Sequence, residues 1–179
     1  MINQSLIQNL PAKTGFLKNF ITSDFSTVNY NVKLGTVSGY WELYSKTSTA
    51  LMGNDSKEYI TNYAKNLLTS NYSSILFGGL GLGTLPYLSQ DLTATVNVVE
   101  IEQEIIDLTS GIGHLSSNVN LIQGNIFTFN TEQTYDIILI DIWNIQDFSI
   151  INPQVSTLTA KYAANLNEGG VMYYPILEW

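Results

Sequence analysis

From residue 73 onward the chain alternates short apolar runs with stretches of helical periodicity. Residues 75–77 form an apolar run that ends in glycines, and residues 84–90 supply a turn or two of helix. A second strand is expected over 94–101, a helix over 103–110, and a third strand over 119–123. The almost wholly apolar stretch 135–142 reads as a fourth strand, 153–166 as a helix opened by Pro153, and 170–174 as a fifth strand. Strands that are continuously apolar are covered on both faces, which marks a parallel sheet between helix layers. The expected fold is therefore α/β, a doubly wound and mostly parallel sheet, whose ligands bind outside the carboxyl ends of the strands.

The first seventy residues have a different texture. Val28, Tyr30, Val32 and Leu34 alternate with polar neighbours, the period of a half-buried strand. Gly35 and Gly39 bracket a turn before the aromatic run 40–44, so a β-hairpin is expected. Ser56 as a helix cap, with Ile60, Tyr63, Ala64, Leu67 and Leu68 at helical spacing, predicts a helix over 56–68. The organisation read from this change is a small hairpin-and-helix appendage, residues 1–70, and a core domain, residues 71–179.

Composition narrows the chemistry. Lys and Arg number 7 against 15 Asp and Glu, a net charge of −8 that repels phosphate backbones and argues against nucleic acid as a partner. The absence of cysteine removes disulfides, thiolate metal sites and a thiol nucleophile, and the single histidine, His114, leaves no second imidazole for a metal site. No run approaches the roughly 18 apolar residues of a membrane span. The N-terminus lacks the pattern of a secretory signal, so the expectation is a cytoplasmic protein with no metal and no membrane partner.

The richest constellation is Ile75-Leu76-Phe77-Gly78-Gly79-Leu80-Gly81-Leu82-Gly83-Thr84-Leu85, a strand running into a glycine loop and then a helix. Such a loop lets a ligand approach the backbone at a helix N-terminus, although a tight turn without a ligand has the same signature. Glu100 favours the ligand, with a solvated acid at a strand end as the plainer alternative for it. It stands at the end of the next strand, roughly 20 residues on, where an acid can hold ribose hydroxyls. Glu102 and Glu104 read as solvated acids, and His114, in a glycine-spaced loop, as a surface imidazole without a role. Trp143, Tyr173, Tyr174 and Trp179 are candidates for an aromatic wall, with core packing as the plainer alternative.

Four pieces together resemble the class I S-adenosylmethionine-dependent methyltransferases, and most closely their spermidine-synthase-like branch. They are the glycine loop above, then Val98-Val99-Glu100-Ile101-Glu102, then Gln123-Gly124-Asn125, then Tyr135-Asp136-Ile137-Ile138-Leu139-Ile140-Asp141. The resemblance implies a Rossmann-like fold and a cofactor, S-adenosylmethionine or its decarboxylated form. It implies that Gly78, Gly79, Gly81 and Gly83 border the cofactor, that Glu100 holds its ribose, that Ile101 flanks the adenine and that Asn125 meets the adenine amino group. Asp141 is implied as the catalytic residue, beside the sulfonium and a small-molecule acceptor. From charge alone, Asp141 and Asp147 would make an acidic pocket suited to a cationic or amine acceptor.

Departures from that branch shape the expected activity. Gly81 stands where the branch has an acid, and Asn144 replaces the second acid after the fourth strand, which favours methyl transfer over aminopropyl transfer. Phe77 stands where ordinary methyltransferases have an acid. The sheet reads as truncated after its fifth strand, whose edge is then expected to be covered by the N-terminal hairpin, by residues 176–179, or by a second subunit in a homo-oligomer. The rival expectations are a non-catalytic interaction module that keeps the fold, and a different nucleotide, such as a dinucleotide, in the same loop.

Overall fold

The computed structural model describes residues 15–48, 50–56, 60, 72–91, 93, 95–143 and 147–175. Of the helix expected over 56–68, only Ser56 and Ile60 are among them, and the expected boundary near residue 71 also lies outside them.

Five strands form one sheet: β5 (Ser74–Gly78), β6 (Thr95–Glu100), β7 (Val119–Gln123), β8 (Tyr135–Ile140) and β9 (Leu166–Tyr173). Their order is β7-β6-β5-β8-β9 and every pairing is parallel. The chain winds outward from β5 to one side, then returns to wind outward on the other, so the switch point lies between β5 and β8. This is the doubly wound α/β arrangement expected from the apolar runs. Ile75 and Phe77 face one apolar cluster while Leu76 faces the other, as alternation along a strand covered on both sides requires. A polar residue within β6, Asn97, is accommodated because all its groups are paired: Nδ2 donates to Gln133 Oε1 at 2.7 Å and to Tyr135 Oη at 3.0 Å, and Oδ1 accepts from Asn120 at 2.9 Å.

Three helices connect these strands, α1 (Thr84–Ser89), α2 (Gln103–Ile112) and α3 (Phe148–Tyr162). α3 starts five residues before the expected Pro153, since Asp147 caps it by accepting from the Ser149 amide and Ile151 is already buried one turn into the helix. β9 likewise starts at Leu166, four residues early. The register against β8 shifts between Tyr135 and Ile137, next to Gly169 and Gly170, and this irregularity hides the strand's beginning from a period-two reading.

The N-terminal part is a second sheet of four antiparallel strands, β1 (Phe25–Ser26), β2 (Tyr30–Leu34), β3 (Trp41–Ser45) and β4 (Leu51–Asn54), in that order. The expected hairpin is β2–β3, with Leu34 opposite Trp41 and Val32 opposite Leu43. β1 and β4 were not foreseen, because two residues and a glycine-containing four carry no alternation to detect. Tyr30, Val32, Trp41 and Leu43 are buried and share one core cluster with Phe16, Leu17 and the β5 and β6 residues Ile75, Phe77, Val96 and Val98. Among the described residues β9 is hydrogen-bonded to β8 alone, and the hairpin expected as one possible cover for it belongs to this separate sheet.

Candidate functional site

The carboxyl ends of β5, β6, β7 and β8 meet at the switch point, and the main chain there is tied together before any side chain is considered. The Gly79 amide donates to the Val99 carbonyl at 2.9 Å, and the Asp141 amide to the Gly78 carbonyl at 2.8 Å. At Gly79, where φ is 95°, a Cβ would collide with the carbonyl oxygen of Asp141, so glycine is required for the loop to lie flush against the end of β8. Gly83 is constrained from the opposite side: its Cβ would come within 2.8 Å of His114 Nε2 and of Thr109 Cγ2. The hydroxyl of Thr109 donates to the Gly81 carbonyl at 2.8 Å, and Gly81 rests against the Met52 carbonyl of β4. The glycines thus serve close packing of protein on protein, and through it set the line of the loop.

Glu100 joins this loop to the neighbouring strand. Its Oε2 accepts from the Leu80 amide at 2.9 Å and its Oε1 from the Glu102 amide at 2.9 Å. An ionised carboxylate offers about four lone-pair sites, so two acceptor positions remain after both amides are satisfied.

A cleft of about 750 Å³ opens over these groups, within the size range of small-molecule sites. Gly79, Gly81, Glu100, Ile101, Asn125 and Asp141 all line it, so six of the expected site residues converge on one surface. Gly78 and Gly83 do not line it: Gly78 lies under Ile126 and Ile140, and Gly83 begins α1. Ile101 is 57% exposed, an apolar side chain offered to solvent at the rim of the cleft. Asn125 Oδ1 accepts from the Phe127 amide at 2.9 Å, a local turn that leaves its amide group and one carbonyl lone pair facing outward. Acidic residues on the lining are Glu100, Glu102 and Asp141, and among the described residues no Lys or Arg lines it. Asp147 stands apart, its carboxylate engaged with the Ser149 amide and hydroxyl at the start of α3.

The expected aromatic wall is realised in part. Trp143 lines the cleft, donates from Nε1 to Gln154 Oε1 at 2.6 Å, and is backed by Tyr174 with ring centres 6.0 Å apart. Tyr173 packs against the opposite cluster, and Trp179 lies outside the described residues, as does Asn144. His114 requires a correction. It is not a surface imidazole but 4% exposed, packed against Phe16, Tyr87 and Phe20 at 5.5, 5.8 and 5.9 Å between ring centres. Burial pushes its pKa down to about 4, with the main chain of Leu82 and Gly83 acting the other way. The two glycines flanking Ile112 suggested an exposed loop, while the aromatic partners that bury the ring lie far away in sequence.

The N-terminal sheet supplies a wall that sequence reasoning missed altogether: Tyr30, Met52 and Asn54 face the cleft from β2 and β4. β4 is docked on the core by the Thr84 hydroxyl, which donates to the Asn54 carbonyl at 2.9 Å. No local signal marks these residues, because what makes them site residues is the seating of one sheet on another.

The parallel order, the glycine loop at the switch point and the acid ending the second core strand define the Rossmann-like fold of the methyltransferases. No family model and no curated protein matches the chain. Solved structures do match. The N-methyltransferase NodS from Bradyrhizobium japonicum WM9, in complex with S-adenosyl-L-homocysteine, superimposes with a TM-score of 0.53 at 16% identity, over 64% of this chain and 57% of that one. The DhpI–SAM–HEP complex gives 0.52 at 17% identity, over 64% and 51%. SAM-bound CalS10, an amino pentose methyltransferase from Micromonospora echinaspora, gives 0.50 at 19% identity, over 64% and 47%. The chain spans about half the length of these structures, and at such identities the likeness is one of fold.

Proposed function

We propose that the cleft binds S-adenosylmethionine and that the protein transfers its methyl group to a small amine. The observation that carries this reading is Glu100: it fastens the loop through two amides and keeps acceptor capacity on the cleft, the arrangement needed to take two ribose hydroxyls. The three fold neighbours above, crystallised with SAM or its demethylated product, support it. Ile101 and Phe127 offer apolar surface to an adenine, and the outward groups of Asn125 suit the ring's polar edge. When bound, the cofactor supplies an electrophilic methyl on a cationic sulfur. Three carboxylates on the lining, with no Lys or Arg there among the described residues, favour that positive charge and an amine beside it. Asp141, at the end of β8, orients the amine and takes up its proton as the new C–N bond forms. Trp143, held by Gln154, closes the far wall and excludes water.

Aminopropyl transfer from decarboxylated S-adenosylmethionine is the second reading, and one observation favours it: among the described residues no cation lines the cleft to meet a methionine carboxylate. Against it, the loop acid of that branch is replaced by Gly81, which lies against β4. A homo-oligomer goes with either reading, since among the described residues β9 has a strand partner on one side only. Calorimetric titration with S-adenosylmethionine, its demethylated product and decarboxylated S-adenosylmethionine tests all of this. Micromolar binding of the first two is expected, with Glu100→Ala weakening it about a hundredfold, the scale of hydrogen bonds to a charged group. No binding at millimolar concentration ends the reading, and preference for the decarboxylated form selects the second.

A further inference from the structure

The turn that leads into β2 is closed on itself and then tied to the core domain. The Thr27 amide donates to the Tyr30 carbonyl at 3.0 Å, and the Tyr30 amide returns a bond to the Thr27 hydroxyl at 3.2 Å. Asn29 then binds Glu104 twice, the main-chain N–H to Oε1 at 2.8 Å and the side-chain amide to Oε2 at 2.6 Å. Glu104 stands in the first turn of α2, so this clamp joins the N-terminal sheet to the helix that follows Glu100. The hydrogen bonds, from Thr27 first and then from Asn29, hold its carboxyl below the usual range. The clamp lies at the surface, as expected of a solvated acid, yet both carboxylate oxygens are occupied by one residue 75 positions away in the chain.

The next residue is Tyr30. Its side chain is only 8% exposed, yet it lines the same cleft as Glu100. Tyr30 shares that lining with Glu100 and Glu102; burial raises the phenol's pKa, the charges of Glu102, Glu100 and Glu104 raise it further, and the hydroxyl stays protonated. Glu100 can only accept hydrogen bonds. A nucleoside also presents acceptors, the ring oxygen of its sugar and the nitrogens of its base, and these need a neutral donor nearby.

We infer that Tyr30 is a ligand-contacting residue supplied by the N-terminal sheet, donating from its hydroxyl to the sugar-and-base end of the bound adenosyl group, and that Glu104 is the positioning residue that holds it there through Asn29. This rests on the cofactor reading above and assigns to the N-terminal sheet a share of the binding site.

The test is a double-mutant cycle of Tyr30→Phe and Glu104→Gln, read by calorimetric titration with S-adenosylhomocysteine and with adenosine, alongside the thermal midpoint of each variant. Tyr30→Phe keeps the ring and is expected to weaken both ligands about fivefold to tenfold, the worth of one hydrogen bond. Glu104→Gln alone weakens them as well, but adds nothing in the Tyr30→Phe background, because its effect runs through the phenol. Midpoints should move by no more than a few degrees. Unchanged affinity in Tyr30→Phe, a loss seen with S-adenosylhomocysteine but not with adenosine, or full additivity of the two substitutions overturns the inference while leaving the cofactor reading intact. Failure of the unaltered protein to bind S-adenosylhomocysteine overturns that reading, and the inference with it.

Discussion

Asp55 and Glu100 each accept two main-chain N–H groups, and they do so for different ends. Asp55 is fully buried, with Oδ2 on the Leu17 amide at 2.8 Å and Oδ1 on the Trp41 amide at 3.0 Å. It knots the 3₁₀ turn Phe16–Asn19 to β3 within the apolar layer. Burial raises its pKa, and the amides of Leu17, Trp41 and Asp55 itself, followed by Lys18, pull it back. Glu100 makes the same pair of bonds, to Leu80 and Glu102, at the edge of an open cleft. The chemistry is shared and the access differs. A sealed carboxylate serves the fold alone, because nothing from solvent reaches its remaining lone pairs, whereas one at a cleft edge fixes the backbone and can still offer its own to a ligand.

That contrast predicts that removing the first group costs stability and removing the second costs binding. Asp55→Ala leaves two buried amides unpaired, at about 1–3 kcal/mol each, so a loss of about 4 kcal/mol is expected, lowering the thermal midpoint by roughly 10 °C. Chemical unfolding of the variant measures it. A loss below about 1 kcal/mol would mean that water reaches these amides and that the knot is not sealed.

His114 tests the same layer through pH. The unfolded chain takes up the imidazole proton near 6.5, while the folded chain refuses it until about 4. Between those values the unfolded state binds more protons, so stability falls as the pH is lowered, by about 3 kcal/mol over the whole window. Asp55, with its pKa raised by burial, acts in the opposite direction at the acid end. The depressed carboxyls of Glu104, Asp136 and Asp147 lose their contributions as the pH falls below their unfolded values, 4.5 for Glu104 and 3.8 for the two aspartates. With one histidine in the chain, His114→Phe should remove the decline between pH 6.5 and 4. An unchanged slope in that variant would show that the ring is hydrated.

At Glu100 the expected effect changes kind: the hundredfold weaker cofactor binding of Glu100→Ala should accompany a stability loss no larger than about 1 kcal/mol, since the Leu80 and Glu102 amides can turn to water. Unfolding and calorimetry on one sample measure both. A collapse in stability comparable to that of Asp55→Ala would erase the distinction between the two acids.

The legible and illegible parts of the molecule divide along similar lines. β5, β6 and β8 lie within a residue or two of their expected spans, because strands buried on both faces write their position as largely apolar runs, and the half-exposed edge strand β7 matches its span as well. The convergence of Gly79, Glu100, Asn125 and Asp141 followed from parallel topology, which brings the carboxyl ends of all core strands to one side. What stayed hidden depends on pairings distant in sequence. His114 is buried by rings from residues 16, 20 and 87; Tyr30, Met52 and Asn54 become cleft residues only when the second sheet is seated; Glu104 gains its purpose from Asn29. Periodicity reports burial against a neighbour without saying which neighbour it is.

Asp147 provides the mildest test, a third acid accepting a main-chain N–H, this time in open solvent. Its carboxylate takes the Ser149 amide at 3.0 Å and the Ser149 hydroxyl at 2.6 Å, and those bonds hold its pKa below the usual range. From composition it was grouped with Asp141 as a source of acidity for an amine acceptor, but in the fold it caps α3 and is absent from the cleft lining. Asp147→Ala should therefore lower the midpoint by a few degrees at most, as the loss of one exposed cap does, and Asp147→Ser should restore it. Affinity for S-adenosylhomocysteine and turnover of any amine acceptor should stay as they were, while Asp141→Asn reduces turnover. If Asp147→Ala instead weakened acceptor binding as much as Asp141→Asn, the acceptor would have to extend beyond the cleft to the start of α3, and access to ligand, not burial, would be what sets these three carboxylates apart.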